Sequence, residues 1–386
     1  MKNKAILKLI LLCFITATQY TAYAYSFSAT CSTGHTLYYN ILSDSTVAVT
    51  YPNNSGSSYY QGYTKPTGAL QIPSIVYHGG TAYRVVSIGS NAFHSCNQLT
   101  SVTIPTSVTA IEDRAFESCS GLSSITIPAS VLSIGVGAFQ SCSGLLTVQI
   151  GSSVTSIGNV AFEGCSSLQS LTIPNSVLTM GNWAFCNCTS LDTLIIGTSL
   201  TQIVHNVFAG CNNVHYIHYN ARNAICNYMT TGGYRTSLPV ASLQELVIGD
   251  SVQTLNPYTF VGAASLAEVT LGTNVSIIGI NTFSGCSGVH TLHYNARNCS
   301  DLSFSGADTI HGFRPFTQLS TLVIGDAVRH IPSYAFFGCG SISSTISLPD
   351  SLQSIGSHAF HGCTSIGAYL SFPATLLSVG TEAFRD

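Results

Sequence analysis

Apolar residues recur along the chain in one fixed order, separated by short polar stretches. Between Val131 and Ser153 the order is V-x-x-I-G-x-x-A-F-x-x-C-x-x-L-x-x-V-x-I-G-x-S, and proline replaces the last glycine in several other copies. The segment L-x-x-V-x-I alternates apolar and polar residues, which is the two-residue period of a β-strand. The segment V-x-x-I-G predicts a second, shorter strand, and A-F-x-x-C predicts the turn that reverses the chain.

The phenylalanine of this order marks the period of the repeat. Its spacing is 23 residues from Phe93 to Phe208, followed by intervals of 52, 23, 53, 24 and 24 residues. The positions are Phe93, Phe116, Phe139, Phe162, Phe185, Phe208, Phe260, Phe283, Phe336, Phe360 and Phe384. One coil of this size cannot bury its own apolar side chains, so we expect stacked coils about 4.8 Å apart. Because the period lies in the range of leucine-rich repeats, the sequence predicts a leucine-rich-repeat solenoid that is mainly β, with short turns and little helix.

The chain divides into three predicted parts. Residues 1–24 have a basic start, an apolar run and the small-x-small pattern Ala22-Tyr23-Ala24, which are typical of a cleaved secretory signal peptide. Residues 25–84 predict a β-rich N-terminal cap with two hairpins, one around 43–45 and one around 78–80. Residues 85–386 carry the repeats. The expected localisation is therefore secretion or display at the cell surface.

Charge is sparse once the signal peptide is removed. Lys2, Lys4 and Lys8 leave with it, so nine basic residues remain against fifteen acidic residues. Charged residues make up 7% of the chain, well below the roughly 25% of ordinary soluble domains. So few cations argue against nucleic acid or an anionic membrane as a partner. The apolar run of the signal peptide is also shorter than the about 20 residues of a membrane span.

Fourteen cysteines in an exported chain raise the question of disulfides. Nine of them follow the phenylalanine by three residues, and Ala263 takes that position in another coil. This constant position in each repeat indicates a buried ladder of reduced thiols, because a free cysteine packs as a small apolar residue. No metal or other cofactor is expected, since Cys186-Asn187-Cys188 lacks the second ligand pair of a zinc site. The candidates for any disulfide are the cysteines that do not occupy this repeat position: Cys31, Cys186, Cys226 and Cys299.

Two copies of the repeat are interrupted at the same six residues. H-Y-N-A-R-N begins at His218 and at His293, and each copy leads into an insertion, at about 220–242 and 296–318. Both insertions contain glycine, an aromatic residue and arginine in succession. Insertions in individual repeats often lie on one face and carry binding. The alternative interpretation is a structural bracket in which the two arginines of the motif, Arg222 and Arg297, pair locally.

The order A-F-x-x-C-x-x-L-x-x-[VIL]-x-I-P, together with V-x-x-I-G, resembles the BspA-like leucine-rich-repeat family of bacterial surface and secreted proteins. The resemblance covers Val85 to the C-terminus, and the stretch 35–53 also resembles the N-terminal module of that family. It implies a right-handed solenoid with a role in adhesion or protein binding. Extracellular proteins of the matrix or plasma type are the partners that it implies, without a specific ligand.

The outward positions of the predicted strands are the candidate binding surface. They are mainly serine and threonine in the first five coils, whereas the middle coils carry aromatic, acidic and histidine side chains. A glycan-binding module, supported by the hydroxyl- and tyrosine-rich outward residues, is the alternative to a protein-binding adhesin. With the arginines of the interrupted copies, the candidate ligand-binding residues are Tyr216, His218, Arg222, Arg235, Glu245, Glu268, His293, Arg297 and Arg314.

Glu245 and Glu268 fall at the same outward position of adjacent coils, so we expect them about 5 Å apart. Retaining glycosidases pair two carboxylates near this distance, and a cation is another possible ligand. An open sheet face provides little desolvation to separate the two pKa values. The chain contains no H-E-x-x-H, phosphate-binding loop or G-x-S-x-G motif. The sequence therefore predicts a non-enzymatic binding protein, with a carbohydrate-active enzyme as a further alternative.

Overall fold

The computed structural model describes residues 25–53, 59–204, 206–230, 233–300, 302, 312–343, 345–366 and 370–385. The predicted signal peptide at 1–24 and residues 303–311 of the second insertion lie outside the described residues. The described residues form β-strands and turns, with no helix among them. Their stacked parallel strands confirm the predicted mainly β solenoid.

The L-x-x-V-x-I segments build one long parallel sheet. Ile125 and Ile127 are buried, whereas Ser124 and Thr126 face solvent, as the predicted alternation requires. Neighbouring strands in this sheet come from successive coils. The eleven strands are β4 (Gly68–Gln71), β7 (Leu99–Thr103), β9 (Ser124–Thr126), β11 (Thr147–Gln149), β13 (Ser170–Ile173), β15 (Thr193–Ile196), β16 (Tyr216–Tyr219), β19 (Glu245–Ile248), β21 (Glu268–Leu271), β23 (Thr291–Tyr294) and β24 (Thr321–Ile324).

The V-x-x-I-G segments form the predicted second strand, which is only two residues long. These strands pair in parallel with the equivalent segments of neighbouring coils. They are β8 (Ala110–Ile111), β10 (Ser133–Ile134), β12 (Ser156–Ile157), β14 (Thr179–Met180), β20 (Thr254–Leu255), β22 (Ile277–Ile278), β25 (His330–Ile331), β26 (Ser354–Ile355) and β27 (Ser378–Val379). The first four belong to one sheet, β20 pairs with β22, and the last three form a sheet of their own.

The N-terminal strands extend both sheets. β1 (Phe27–Thr30), β2 (Thr36–Ser43) and β3 (Thr46–Thr50) are antiparallel, and β5 (Ile75–His78) pairs antiparallel with β6 (Thr81–Ile88). The β2–β3 and β5–β6 pairs confirm the two predicted hairpins. β3 pairs in parallel with β6, β6 with β8, and β4 with β7. The first strands of the repeats, β7 and β8, therefore pair with N-terminal strands and do not form an unpaired sheet edge.

A stack of phenylalanine rings runs through the core. Phe93, Phe116 and Phe139 are fully buried, and the centroids of neighbouring rings lie 5.1 Å apart. The stack continues through Phe162 and Phe185 to Phe208 with spacings between 5.0 and 5.8 Å. Each ring is thus buried by the equivalent rings of the coils on either side, which is why one coil is not stable alone.

The predicted thiol ladder follows the rings. Cys119 donates its Sγ hydrogen to the carbonyl oxygen of Phe93 at 3.1 Å, and Cys142 does the same to Phe116. No disulfide joins the cysteines of the described residues, and all of these thiols are buried, including Cys31, Cys186, Cys226 and Cys299. The thiols therefore act as small packing residues that also hydrogen-bond the turn of the preceding coil.

Glycine follows six of the nine short strands, and at Gly158 neighbouring coils approach closely. A Cβ on Gly158 would lie 2.6 Å from the carbonyl carbon of Gly135 and 2.7 Å from the amide nitrogen of Val136. Both are backbone atoms, so a side chain on Gly158 would push these two coils apart. Glycine is favoured where the coils approach this closely, whereas Glu112, Asn256 and Pro332 follow β8, β20 and β25.

Phe313 belongs to the ring stack, which corrects the interpretation of 312–314 as a motif of the insertion. Its ring is fully buried, stacks on Phe336 at 5.6 Å and lies 5.8 Å from Phe283. The interval of 53 residues between Phe283 and Phe336 therefore contains one further coil. The sequence pattern misses this coil because Phe316 stands where the other coils have cysteine.

The first insertion has no ring at the corresponding position. Ser237 precedes Leu243 by six residues, as the rings of the stack precede their leucines. Among the described residues, Tyr219 is the nearest substitute, since its ring packs edge-on against Phe260 with centroids 5.6 Å apart. The insertion also contains an antiparallel hairpin of β17 (Asn227–Thr230) and β18 (Gly233–Thr236).

Candidate binding face

Four neighbouring strands of the long sheet carry most of the predicted ligand-binding residues. β16, β19, β21 and β23 pair in register, so their outward side chains form two rows. We call these eight positions the central face. One row is Tyr216, Glu245, Glu268 and Thr291, and the other is His218, Val247, Thr270 and His293.

An ion pair crosses two strands of the central face. The Nε2 atom of His293 lies 3.3 Å from the Oε1 atom of Glu268, and the side chains are 37% and 43% exposed. An ion pair exposed to this degree contributes little to stability, with a typical value of about 0–1 kcal/mol. Both side chains therefore remain available for recognition. The contact is an ion pair only when His293 is protonated.

Tyr216 lies beside Glu245 in the first row. Partial burial raises the pKa of the Tyr216 phenol, and the negative charge of Glu245 raises it further. The phenol therefore keeps its proton at neutral pH and can donate a hydrogen bond. An aromatic ring next to a carboxylate gives the face both apolar contact area and polar partners, as in many protein interfaces.

Glu245 and Glu268 are directly paired in the register of β19 and β21, as the sequence predicts. Glu245 is exposed, and Glu268 is partly exposed and engaged with His293. A glycosidase needs one carboxyl group whose pKa is raised by burial so that it can act as an acid. Both side chains reach solvent, so this face does not provide the buried carboxyl group that such an acid requires.

The motif H-Y-N-A-R divides into buried and exposed side chains. Tyr219 and Tyr294 are fully buried, and so are the alanines that follow them. A Cβ on Gly249 would overlap the Oδ1 atom of Asn220, which shows that this asparagine packs directly against the next strand. The tyrosine, asparagine and alanine are therefore structural, while the histidine and arginine face outward.

The arginines lie outside the central face. Arg222 and Arg297 are exposed, three residues beyond the ends of β16 and β23, and neither has an ion-pair partner among the described residues. Arg314 lies in the turn that carries Phe313, with its guanidinium 5.8 Å from the ring centroid of Phe337. Arg235 lies on β18. The structure thus gathers five of the nine predicted residues on the central face and places the four arginines on other segments.

A cavity that the sequence did not predict lies where the ring stack is interrupted. It has a volume of about 350 Å³ and is lined by Phe208, Cys211 and residues 236–241 of the first insertion, among others. The Oγ atom of Ser237 is buried without a hydrogen-bond partner. The absence of a phenylalanine at position 237 is the only sequence signal for this cavity.

These features define a leucine-rich-repeat protein with an exposed face of parallel strands. The BspA type leucine rich repeat region matches residues 86–215, 238–313 and 310–386 in six copies. The chain therefore belongs to the BspA type leucine-rich-repeat family. Proteins of this family are typically surface or secreted proteins that take part in protein interactions, and leucine-rich-repeat proteins are generally not enzymes.

Solved structures of bacterial leucine-rich-repeat proteins are similar to the chain. A leucine-rich repeat protein from Bacteroides ovatus is 27% identical, with 90% of each chain covered and a TM-score of 0.43. A leucine rich cell surface protein from Faecalibacterium prausnitzii is also 27% identical, covering 88% of this chain and 93% of its own, with a TM-score of 0.42. The pneumococcal vaccine antigen PcpA is 16% identical, covering 91% and 93%, with a TM-score of 0.35.

A search of curated protein sequences finds no match. In the part of the chain that the structure describes, no helix has the length and apolar character needed to cross a membrane.

Proposed function

We propose that the protein is a non-enzymatic adhesin, secreted or displayed at the cell surface, that binds extracellular proteins through the central face and the two insertions. The observation that carries this proposal is the two-row arrangement of aromatic, acidic and histidine side chains on four hydrogen-bonded strands. Proteins of the matrix or plasma type are the proposed partners. Binding at the central face and the insertions is proposed to need no cofactor or metal.

The chemistry of the central face supports the proposal by contrast with the preceding coils. Ser124 and Thr126 of β9, like Ser170 and Thr172 of β13, present short hydroxyl side chains. The central face instead combines Tyr216 with carboxylates and imidazoles. Side chains held on paired strands lose little conformational entropy when a partner binds, so a modest set of contacts can yield measurable affinity.

The insertions support the proposal because they add cations next to a face that carries two carboxylates. Arg222 and Arg297 are exposed, and each lies three residues after the end of a strand of the central face. A partner that spans the face and the insertions would thus meet both signs of charge, which favours specificity over simple adhesion.

A binding panel tests this function directly. We would immobilise matrix and plasma proteins, measure binding of the purified protein by interferometry, and repeat the measurement with Tyr216→Ser combined with Glu245→Gln. The expected result is saturable binding to a protein that weakens by about 10-fold or more in the double variant. The matched control is Ser124→Ala combined with Thr126→Ala, which alters the same positions on an earlier coil and should leave binding unchanged.

The contribution of the insertions needs separate variants. Arg222→Ser and Arg297→Ser remove exposed charges without changing the buried part of the motif, and we expect weaker binding with a smaller salt dependence. Unchanged binding in both variants would remove the insertions from the proposal while the central face is still under test.

A glycan array separates the two binding functions. Binding confined to glycans would contradict the protein-binding adhesin and favour the glycan-binding module. Hydrolysis of a glycan that is lost in Glu245→Gln combined with Glu268→Gln, while binding is retained, would show an enzyme instead. Export is tested by N-terminal sequencing of the protein from the envelope or the medium, where the first residue should be Tyr25.

A further inference from the structure

Two histidines and a glutamate converge on the turns of two successive coils. His358 lies two residues before Phe360 and His361 one residue after it, whereas Glu382 lies two residues before Phe384. The Nδ1 atoms of the two histidines are 3.5 Å apart, and the Oε2 atom of Glu382 lies 3.5 Å from His358 and 3.7 Å from His361. Within the described part of the chain, these are the three potential metal-ligating side chains whose donor atoms lie within 4.8 Å of one another.

We propose that His358, His361 and Glu382 form a Zn²⁺ site that links these two coils. Ligand atoms about 2.0–2.1 Å from a tetrahedral Zn²⁺ lie about 3.3–3.4 Å from one another. The observed donor separations of 3.5–3.7 Å are slightly larger, and they would place a tetrahedral ion, which lies above the plane of the three donors, about 2.1–2.3 Å from each of them. Two imidazoles with one carboxylate are also a donor set that suits Zn²⁺ rather than Ca²⁺ or Mg²⁺.

The backbone holds the two turns in fixed relative positions. The amide nitrogen of His358 donates to the carbonyl of Thr381 at 3.0 Å, Phe360 donates to Ala383 at 2.8 Å, and Gly362 donates to Arg385 at 2.7 Å. Within the first turn, the amide of His361 donates to the carbonyl of His358. The three donors therefore meet because of the coil stacking and do not require a separate rearrangement.

Neighbouring side chains orient the ligands. The His358 ring stacks on Tyr334 with centroids 4.9 Å apart, and the His361 ring stacks on Phe337 at the same distance. The Nη1 atom of Arg385 contacts the Oε1 atom of Glu382 at 2.6 Å, which leaves Oε2 directed at the imidazoles. Supporting contacts of this kind fix ring planes and carboxylate oxygens at metal sites.

The site is open to solvent on one side. The side chains of His358, His361 and Glu382 are 23%, 25% and 35% exposed. Three protein ligands leave the fourth tetrahedral position for water or for a donor atom of a bound partner. The metal would thus join the two turns and also present an exchangeable position on the outside of the solenoid.

Metal titration of the purified protein tests the proposal. After removal of metal with a chelator, we expect one equivalent of Zn²⁺ to bind, and Co²⁺ to give the intense visible absorption of a tetrahedral site. Glu382→Gln and His361→Gln should each weaken Zn²⁺ binding by about 10-fold or more, since even supporting residues have effects of this size. Both variants keep the approximate size of the side chain, and circular dichroism verifies that the coils remain folded.

The control is His215→Asn, which removes an exposed imidazole that contacts Asp192 at 2.7 Å on another coil. It should bind one equivalent of Zn²⁺ as the unchanged protein does. Zn²⁺ should also raise the melting temperature of the unchanged protein and not that of Glu382→Gln, because only the former gains binding energy in the folded state. The proposal would be overturned if the unchanged protein bound no Zn²⁺ at a metal concentration of about 100 μM. It would also be overturned if the folded Glu382→Gln and His361→Gln variants bound Zn²⁺ as tightly as the unchanged protein does.

Discussion

The Sγ atom of Cys142 donates a hydrogen bond of 3.1 Å to the carbonyl oxygen of Phe116 in the preceding coil. The same bond recurs from Cys119 to Phe93, from Cys165 to Phe139 and from Cys211 to Phe185. A thiol is a weak donor, but at this position it meets a carbonyl at the turn between two coils. The ladder thus combines small apolar volume with one hydrogen bond per coil.

Replacing Cys142 tests this combined role. We expect Cys142→Ala to lower the free energy of unfolding by about 1 kcal/mol, the usual net value of one hydrogen bond. Alanine already stands at the equivalent position 263, so the variant should keep the native fold. Urea denaturation measures the change, and a loss above about 3 kcal/mol would show that the thiol volume matters more than its hydrogen bond.

Cys96 and Cys142 of the ladder should be unreactive in the folded protein. Burial raises the pKa of Cys142 and of Cys96 to about 12 in each case. Because the thiolate is the reactive form, a thiol reagent at pH 8 should label these two thiols only after the protein is denatured. Mass spectrometry of labelled peptides measures this, and rapid labelling of Cys142 in the native protein would contradict the buried ladder.

The ring stack predicts a graded dependence of stability on position. Phe139 is fully buried between Phe116 and Phe162 at 5.1 and 5.0 Å, so we expect Phe139→Ala to cost about 3–5 kcal/mol. Phe384 is only partly buried and contacts only Phe360 within the ring stack. Phe384→Ala should therefore lower the free energy of unfolding clearly less than Phe139→Ala does. Equal losses in the two variants would argue against the stack as the source of stability. Chemical denaturation of both variants gives the comparison.

Close coil spacing makes Gly158 sensitive to any side chain. Gly158→Ala should destabilise the protein by about 1–3 kcal/mol, because the added methyl group meets backbone atoms that cannot move independently. Gly338 provides the matched control, since its φ is +76° and no atom lies within 4 Å of its Cβ position. Gly338→Ala should cost roughly 1 kcal/mol from the left-handed backbone alone. The opposite ranking in thermal denaturation would contradict this explanation.

His94 predicts a loss of stability in mild acid. Burial lowers the pKa of its imidazole below 6.5, Lys65 and Arg114 lower it further, and the nearby carboxylate of Glu117 opposes them. The unfolded chain therefore takes up the proton at higher pH than the folded chain. The stability due to neutral His94 is complete above about pH 6.5 and is lost as the pH falls through the lowered folded pKa.

Melting temperatures measured from pH 7.5 to 5 test this effect. The unchanged protein should lose more stability over this range than His94→Asn, which keeps a polar side chain but does not titrate. Parallel curves for the two proteins would exclude His94 as a source of the pH dependence.

Most of the fold follows from the sequence because the repeat fixes it in a simple way. Ile125 and Ile127 alternate with hydroxyl residues, and the six phenylalanines from Phe93 to Phe208 keep a spacing of 23 residues, so strands, core and turns are predictable from spacing. Phe313 was missed because its coil lacks both the cysteine and an uninterrupted preceding segment. Its burial depends on contacts with Phe283 and Phe336 that no local pattern contains.

The candidate sites are predictable only in part. The register of Glu245 and Glu268 follows from strand spacing, but the contact between Glu268 and His293 depends on side-chain direction across a diagonal. The meeting of His361 with Glu382 could have been found by aligning the residues that flank each phenylalanine. Cysteine spacing gives no hint of it, because none of the three ligands is a thiol.

The strands of both sheets run across the solenoid, so their hydrogen bonds point along its axis. A tensile force applied between the two ends would therefore load these layers in series, so that the weakest layer opens first and the layers do not all open together. Each layer that opens would release a segment of about 23 residues while the remaining layers stay intact. A protein built in this way yields to flow or shear in small successive steps, and each step dissipates work before an attachment at either end is broken.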